Sequence, residues 1–182
     1  MRAVLAGDRD GFRLLVERYH RPLFRTLCGL CGSALAAEDV TQEAFCRAYA
    51  SLSTFRLEFP FYPWLYAIAH NVYVSSALKA AKLQLVSLDA EVEPGRDEHR
   101  PWLVDPNEGP AVLAERQDVR EAIWAAMRAL PAEFQAIFVM RIVDDMSYLD
   151  ICGATGLPIG TVKSRLARAR HRLAALLAAE LA

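Results

Sequence analysis

The sequence predicts an all-α protein: two small helical domains joined by a flexible acidic linker, the C-terminal one containing a helix-turn-helix. Apolar residues recur at helical spacing over residues 8–82, where nothing alternates like a strand, and this periodicity returns from Ala111 onward. Four prolines and an acidic excess separate the two stretches. We therefore expect domains at residues 1–83 and 112–182, with the linker at residues 84–111.

Composition sets the first limits on function. A chain of 182 residues with 54% hydrophobic content can form two small packed cores, whereas a disordered chain would be less hydrophobic and more highly charged. The formal net charge of −1 excludes a protein that coats nucleic acid by bulk electrostatics. Any contact with DNA must therefore be local.

Charge is distributed unevenly along the chain. Residues 161–173 contain five basic residues and no acidic one, whereas residues 87–110 contain seven acidic residues and two arginines. No apolar run approaches the roughly 18–20 residues of a membrane span, and the N-terminus lacks the pattern of a signal peptide. We expect a cytoplasmic protein with no membrane insertion.

The four cysteines are expected to be reduced, as is usual in a cytosolic protein. Cys28 and Cys31 form a C-x-x-C, but the segment around them reads as an apolar helix with no βαβ pattern beside it. We interpret them as small buried thiols, with a redox or metal pair as the alternative. A second ligand pair is missing and His20 is the only nearby imidazole, so neither a metal nor a cofactor is expected.

Local signals divide the first domain. Gly32-Ser33 ends one helical stretch, and Ser33 or Glu38-Asp39 suits the start of the next. A looser segment runs from Ser51 to Pro63, after which a helical pattern resumes over residues 64–78. In the C-terminal domain, Pro131 is well placed to open a helix.

Residues 147–170 have the layout of a helix-turn-helix. Ser147 would cap a short helix, and Gly156 supplies the positive φ of a tight turn over residues 155–158. A longer helix would start near Ile159. Five of its residues lie at three-and-four spacing and would face the core, namely Val162, Leu166, Ala169, Leu173 and Leu176.

The opposite face of that second helix is predicted to bind duplex DNA. Thr161, Arg165, Arg168 and Arg172 share it, and Lys163, Ser164 and Arg170 flank it. Such a helix fits the major groove with its first turns at the base edges. Thr161 and Arg165 are the candidates for reading bases, and Arg170 and Arg172 those for phosphates. A solvated arginine-rich face is the alternative, which the preceding turn disfavours.

Six aromatic residues between positions 55 and 66 form the second candidate site. Aromatic rings on a loop can stack on unpaired bases, which contributes ~1–3 kcal/mol of binding per base. For each single ring, however, a position in the hydrophobic core is an equally good interpretation or a better one. His70 and Asn71 offer polar edges just downstream, with Lys79 and Lys82 beyond them.

A polar stripe on another helix is the third candidate site. It is either a solvated face or a docking surface for a partner protein, and its members are Asp39, Gln42, Glu43 and Arg47.

Two stretches carry a family resemblance. The first is Ala37-Glu-Asp-Val-Thr-Gln-Glu-Ala-Phe-Cys-Arg-Ala-Tyr with Trp64-Leu-Tyr-Ala-Ile-Ala-His-Asn, which resembles the promoter-melting region two of extracytoplasmic-function sigma factors. The second is Leu130-Pro131, Met140-Arg141, Ser147-Tyr148 and Gly160-Thr-Val-Lys-Ser-Arg-Leu-Ala-Arg-Ala-Arg, which resembles their region four. Together they account for nearly the whole chain.

The resemblance implies a non-enzymatic promoter-recognition factor whose partners are core RNA polymerase, promoter DNA and an anti-sigma factor. The polar stripe would dock on the clamp helices of the largest polymerase subunit, and the second helix of the C-terminal domain would read the minus-thirty-five element as duplex. The linker would thread toward the active-site cleft and the RNA exit path. Capture of a flipped base from the melted minus-ten element would fall to Phe55, Arg56, Phe61, Tyr62, His70, Asn71 and Lys79.

The chain departs from the family pattern after Asn71, where an aspartate and several arginines are usual. It carries Val-Tyr-Val-Ser-Ser-Ala-Leu-Lys-Ala-Ala-Lys instead, which predicts weak phosphate contact by that helix. Asp150 and Cys152 also replace the usual glutamate and alanine.

Two other classes of protein compete with this interpretation. A stand-alone helix-turn-helix regulator explains the C-terminal half equally well, but it leaves the polar stripe and the aromatic loop unexplained. An enzyme is disfavoured, because no nucleophile, base and orienting group form a recognisable arrangement and no glycine-rich phosphate loop is present.

Overall fold

The fold is that of a computed structural model, which describes residue 4 and residues 9–86 and 110–180. Within these residues the chain forms α-helices and no strands, as predicted. None of the described helices is long and apolar enough to cross a membrane. In chain order the helices are α1 (Arg9–Cys31), α2 (Ala34–Ala50), α3 (Phe61–Val86), α4 (Pro110–Arg128), α5 (Ala132–Phe138), α6 (Tyr148–Thr155) and α7 (Ile159–Glu180).

Helices α1 to α3 form the first domain, in which α2 packs against both of its neighbours. The break between α1 and α2 lies where the sequence predicts it: Gly32 has a φ of 71° and Ser33 caps α2, its hydroxyl accepting from the Ala36 N–H at 3.4 Å. The core includes Leu23, Leu27 and Leu65, none of which is exposed to solvent. A short 3-10 helix, Leu52–Thr54, leads into the aromatic segment.

Helix α3 is longer than the sequence pattern predicts. It begins at Phe61, with Pro63 in its first turn, and continues to Val86. Proline is tolerated there because the first N–H groups of a helix have no partner within it. Residues 84–86 and 110–111 of the predicted linker are thus helical, and residues 87–109, with the acidic excess and its proposed path, lie outside the described residues.

Helices α4 to α7 form the second domain. Its core includes Met127, Ile137, Ile151, Val162 and Leu166, each at most 2% exposed. Between α5 and α6 the backbone widens into a single π-helical turn over Val139–Val143, where the Asp144 N–H donates to the Val139 carbonyl at 3.0 Å.

The core stripe of α7 is correct as far as Leu173, but the placement of Leu176 is wrong. Leu176 is 36% exposed, and Leu177 packs against the core instead. The buried positions advance by three and four residues up to Leu173 and then by four, because a helix of 3.6 residues per turn drifts slowly around its axis.

The helix-turn-helix has the predicted local geometry. Ser147 caps α6, its hydroxyl accepting from the Asp150 N–H at 3.1 Å. Gly156 ends α6 with a φ of 70°, and its N–H donates to the Cys152 carbonyl at 2.8 Å. Helix α7 starts three residues later, at Ile159.

The two domains are in contact through α3 and α6, and through α1 and α4. Near each of these contacts, a glycine of one domain lies against an aromatic ring of the other. Gly153 of α6 lies against the Phe59 ring, and Gly29 of α1 lies against the Trp124 ring; a Cβ atom on either glycine would overlap that ring.

Replacing Gly156 with alanine should destabilise the second domain by about 1–2 kcal/mol, because an L-residue in the left-handed region brings its Cβ too close to the following carbonyl oxygen. Gly160 is the matched control, since it lies in the first turn of α7 with no atom within 4 Å of an added Cβ. Gly160→Ala should be neutral or stabilising by up to ~1 kcal/mol. Urea denaturation measures both, and equal stabilities would contradict the strained-turn account.

Candidate nucleic-acid interface

Helix α7 presents a basic, largely exposed surface. Lys163, Ser164, Arg168, Arg170 and Arg172 are all exposed, and residues 159–173 contain no acidic side chain. Arg172 lies with its guanidinium 5.1 Å from the centre of the Phe134 ring, a contact that steadies the side chain while leaving it exposed. These five residues are therefore accessible to another molecule, such as the phosphates of a duplex.

Thr161 and Arg165, the two candidates for reading bases, are less accessible than predicted. Both are half-buried. The Arg165 side chain is 28% exposed, and its Nη2 lies 2.9 Å from Oε2 of Glu133, in the first turn of α5. Sequence periodicity put Arg165 on the free face of α7 but could not show that α5 supplies a carboxylate beside it.

Phe55 and Phe61, two of the predicted strand-binding residues, lie in the core of the first domain. They are 7% and 4% exposed, and the two ring centres are 5.7 Å apart. Trp64 packs against both rings, at 5.2 Å and 5.6 Å. Neither phenylalanine can stack on a base without leaving this cluster. Arg56, by contrast, is exposed and donates to Glu58 at 2.8 Å.

His70 is buried, whereas Asn71 and Lys79 are exposed. The His70 Nε2 lies 2.9 Å from the Gln135 Oε1, and the Gln135 amide donates to the Met127 carbonyl at 3.0 Å. Since that amide oxygen can only accept, His70 is the donor. Burial lowers the pKa of His70, so the ring is neutral at pH 7.

Residues from both predicted DNA-binding surfaces line one cavity between the domains. Its volume is about 330 Å³. His70 and Asn71 line it from α3, and Glu133 and Arg165 line it from the second domain. The structure therefore brings together a candidate for the melted strand and a candidate for the duplex, which the sequence assigned to separate domains.

Tyr62 is also held by the second domain. Its hydroxyl donates to Oδ2 of Asp144 at 3.2 Å, and the Thr26 hydroxyl donates to Oδ1 at 2.9 Å. Burial raises the pKa of Asp144 to about 6, although both hydrogen bonds oppose that change. Burial and the neighbouring Asp144 also raise the pKa of Tyr62 above its ordinary value.

Asp144, Gln135 and Thr26 were not among the predicted site residues. The available signals were weak, because Gln135, Thr26 and Asp144 belong to no motif that would distinguish them from other polar residues. Asp145 next to it has a φ of 48°, which is uncommon for a residue other than glycine. A π turn and a left-handed residue on either side of Asp144 mark this segment as specialised.

The polar stripe of α2 lies on the surface as predicted. Its four members, Asp39, Gln42, Glu43 and Arg47, are all exposed. Arg47 donates to Glu43 at 2.7 Å, and Gln42 donates to Glu38 at 3.0 Å. The opposite face of α2 is buried in the first domain, so the stripe can meet another molecule without any change in the fold.

Cys28 is buried and Cys31 is half-buried. Burial, with a smaller contribution from Cys28, raises the pKa of the Cys31 thiol to about 12, and the charge of Arg128 opposes this. A thiol with so high a pKa is a poor nucleophile and a poor metal ligand at pH 7. This favours the interpretation as small buried thiols.

A helix-turn-helix with a basic exposed face, joined to a helical domain with an exposed polar stripe, is typical of a DNA-binding transcription protein. Two family models match the chain: Sigma-70 region 2 over residues 15–82 and Sigma-70, region 4 over residues 120–173.

Curated relatives match along nearly the full length. The RNA polymerase sigma-H factor of Pseudomonas aeruginosa is 31% identical over 93% of this chain and 88% of its own length. The extracytoplasmic-function sigma factor SigW of Bacillus subtilis is 30% identical over 95% of this chain and 92% of its own. The sigma-E factor of Escherichia coli is 31% identical over 93% of this chain and 88% of its own length.

Two solved structures share the fold. The sigma factor RpoE of Bartonella quintana, in complex with the anti-sigma factor NepR, has a TM-score of 0.65 and 23% identity over 92% of this chain and 96% of that one. CnrH, in complex with the cytosolic domain of CnrY, has a TM-score of 0.62 and 22% identity over 97% of this chain and 94% of that one. The chain belongs to the extracytoplasmic-function sigma factors of RNA polymerase, which initiate transcription and are not enzymes.

Asp144→Asn tests the burial of this carboxyl group. The folded-state pKa of about 6 lies above the unfolded value of about 3.9, so the folded protein holds the proton more tightly than the unfolded chain. The contribution of Asp144 to the stability of the folded protein is complete at a pH below its pKa in the unfolded chain. This contribution is lost as the pH rises through its pKa in the folded protein.

The free energy of unfolding of Asp144→Asn, minus that of the wild type, should therefore rise between about pH 4 and about pH 6 and level off near pH 7. Urea denaturation at each pH measures this difference, in which the titration of all other groups cancels. A difference that stays constant across this range would contradict the burial of the carboxyl group.

Proposed function

We propose that this sigma factor reads the minus-thirty-five element as duplex DNA with α7 and captures one strand of the melted minus-ten element with its first domain. As a sigma factor, the chain directs RNA polymerase to promoters. The observation that most supports the assignment of α7 is its exposed basic face directly after a capped helix and a glycine turn.

In the proposed duplex complex the first turns of α7 enter the major groove. Thr161 and Arg165 are then nearest the base edges, and an arginine can make two hydrogen bonds to a guanine. Lys163, Ser164 and Arg168 lie beside them, and Arg170 and Arg172 further along the helix neutralise phosphates. Arg165 must exchange Glu133 for the base to make this contact.

For the melted strand, the exposed residues Arg56, Asn71 and Lys79 form the accessible part of the proposed site. Tyr62 and His70 join it when they are released from Asp144 and Gln135. Phe55 and Phe61, which are buried, would support the loop from beneath. Within α3, only Lys79 and Lys82 add positive charge after Asn71, so few phosphates are neutralised and the binding of this strand should depend weakly on salt.

The α2 stripe is proposed to dock on the clamp helices of the largest polymerase subunit. Its accessibility supports this role, because Asp39, Gln42, Glu43 and Arg47 are all exposed. We also propose an anti-sigma factor as a partner, since the sigma factor RpoE of Bartonella quintana, which shares this fold, was solved in complex with the anti-sigma factor NepR. A stand-alone helix-turn-helix regulator is disfavoured by family membership.

Replacing Arg165 with alanine should relax promoter selection at one or two positions and cost ~1–3 kcal/mol of binding if the side chain contacts a base edge. The matched variant is Arg170→Ala, which should weaken binding uniformly across sequences and lower the salt slope by about one. Transcription with core polymerase on a randomised minus-thirty-five library distinguishes them. An unchanged sequence preference in Arg165→Ala would remove this residue from the readout.

The double replacement Asp39→Ala with Gln42→Ala should abolish co-purification with core polymerase while leaving the helical circular dichroism unchanged, because both side chains are exposed. Arg13→Ala with Glu17→Ala is the control, since it removes an exposed ion pair of 2.6 Å from α1 instead. Retained polymerase binding by the α2 variant would refute the docking assignment.

A further inference from the structure

We propose that His20 of α1 is a positioning residue for the α2 stripe: it holds Glu38, and through Glu38 the amide of Gln42, and it makes polymerase docking depend on pH. This inference rests on the proposed docking of the α2 stripe on polymerase. It is carried by a chain of hydrogen bonds between the two helices, by two aromatic rings beside His20, and by the chemistry of the imidazole group.

Two hydrogen bonds in series link α1 to the α2 stripe. The His20 Nε2 lies 3.3 Å from Oε1 of Glu38 on α2. The same oxygen accepts from the Gln42 Nε2 at 3.0 Å. Since a carboxylate can only accept, the imidazole is the donor, and Glu38 is shared between a residue of α1 and a member of the stripe. Neither His20 nor Glu38 is among the four predicted members of the stripe.

The His20 ring is held in place by two phenylalanines. Its plane lies at 13° to the Phe24 ring, with 6.1 Å between the ring centres, and at 10° to the Phe45 ring, with 6.3 Å between them. Phe45 is 6% exposed and belongs to the core of the first domain. The His20 side chain is itself 38% exposed. The imidazole therefore keeps its orientation toward Glu38 while solvent can supply or remove its proton.

The contact between His20 and Glu38 acts on the surface of the domain more than on its stability. Both side chains are more than a third exposed, and an exposed ion pair changes a folding equilibrium by at most about fivefold. Gln42, by contrast, has a long side chain whose immobilisation on binding weakens an affinity by roughly two- to tenfold. An amide that Glu38 already holds meets a partner with less of this loss.

The charge of His20 connects this arrangement to pH. Histidine is the side chain whose charge ordinarily changes between about pH 5 and about pH 8. A protonated His20 donates a charge-assisted hydrogen bond to Glu38, which is stronger than the bond from a neutral ring. Docking should therefore tighten as the pH falls from about 8 to about 6, by at most about fivefold.

Glu38 is the charged group that faces the His20 ring. Three helices pack against α1, namely α2, α3 and α4, and in the described part of the chain only α2 supplies an ion-pair partner for this histidine. On α1 itself the nearest carboxylate along the helix is Glu17, which is paired with Arg13 at 2.6 Å. The pH response of docking should therefore depend on Glu38 as much as on His20.

The test uses the full-length protein and core RNA polymerase, with variants that separate charge from hydrogen bonding. His20→Gln keeps an amide donor but cannot be protonated, and His20→Arg keeps a planar group with a permanent charge. Glu38→Gln leaves His20 in place and removes the charge that it faces. The matched control is Arg13→Ala with Glu17→Ala, which removes the exposed ion pair from the same helix. Circular dichroism and urea denaturation confirm that each variant is folded.

Fluorescence anisotropy of the labelled protein measures the dissociation constant for core polymerase between about pH 6 and about pH 8 at constant ionic strength. The ratio of the His20→Gln constant to the wild-type constant should rise by up to about fivefold toward the lower pH. Titration of all other groups, Asp144 included, cancels in this ratio. Glu38→Gln should lose the same pH response, His20→Arg should bind tightly throughout, and the control should respond like the wild type.

A ratio that stays constant with pH would overturn the role of His20. A response that is lost in His20→Gln but kept in Glu38→Gln would show that His20 acts without Glu38, which contradicts the positioning role. Failure of the docking surface itself looks different: Asp39→Ala with Gln42→Ala would then bind polymerase like the wild type, whatever the His20 variants do.

Discussion

The burial of Asp144 between the two domains is the interaction on which the observed arrangement depends. A carboxylate removed from water is costly. The hydroxyl groups of Thr26 on α1 and Tyr62 on α3 donate to Asp144 and offset part of this cost, but burial still raises its pKa to about 6. A π turn precedes Asp144 and a left-handed residue follows it, so the backbone is shaped to deliver this side chain to the other domain. The segment α4 to α7 is thereby held against the first domain by a group of its own.

The basic face of α7 is only partly accessible in this structure. Lys163, Ser164, Arg168, Arg170 and Arg172 are exposed, whereas Arg165 is paired with Glu133 of its own domain. Phosphate contacts position a protein on DNA, and base contacts specify where it binds. If α7 binds DNA as proposed, its phosphate-binding residues are accessible in this structure, whereas Arg165 must leave Glu133 before it can contact a base.

The local features of the fold could be predicted from the sequence, and the contacts between distant residues could not. A cap such as Ser147 and a turn glycine such as Gly156 are determined by neighbours a few positions away, so the sequence is enough to place them. Tyr62 and Thr26 lie 82 and 118 positions from Asp144, and no periodicity connects residues so far apart. The same applies to His70 and Gln135, and to the burial of Phe55 and Phe61, which depends on how an aromatic segment folds back on its own domain.

Transcription with core RNA polymerase on a promoter library randomised over both elements tests the central claim most directly. The account predicts transcripts only when this protein and core polymerase are both present, with selected bases in two separate blocks upstream of the start site. It also predicts that substitutions in α7 alter only the upstream block. Selection of a single block, or specific duplex binding that is indifferent to added core polymerase, would contradict it.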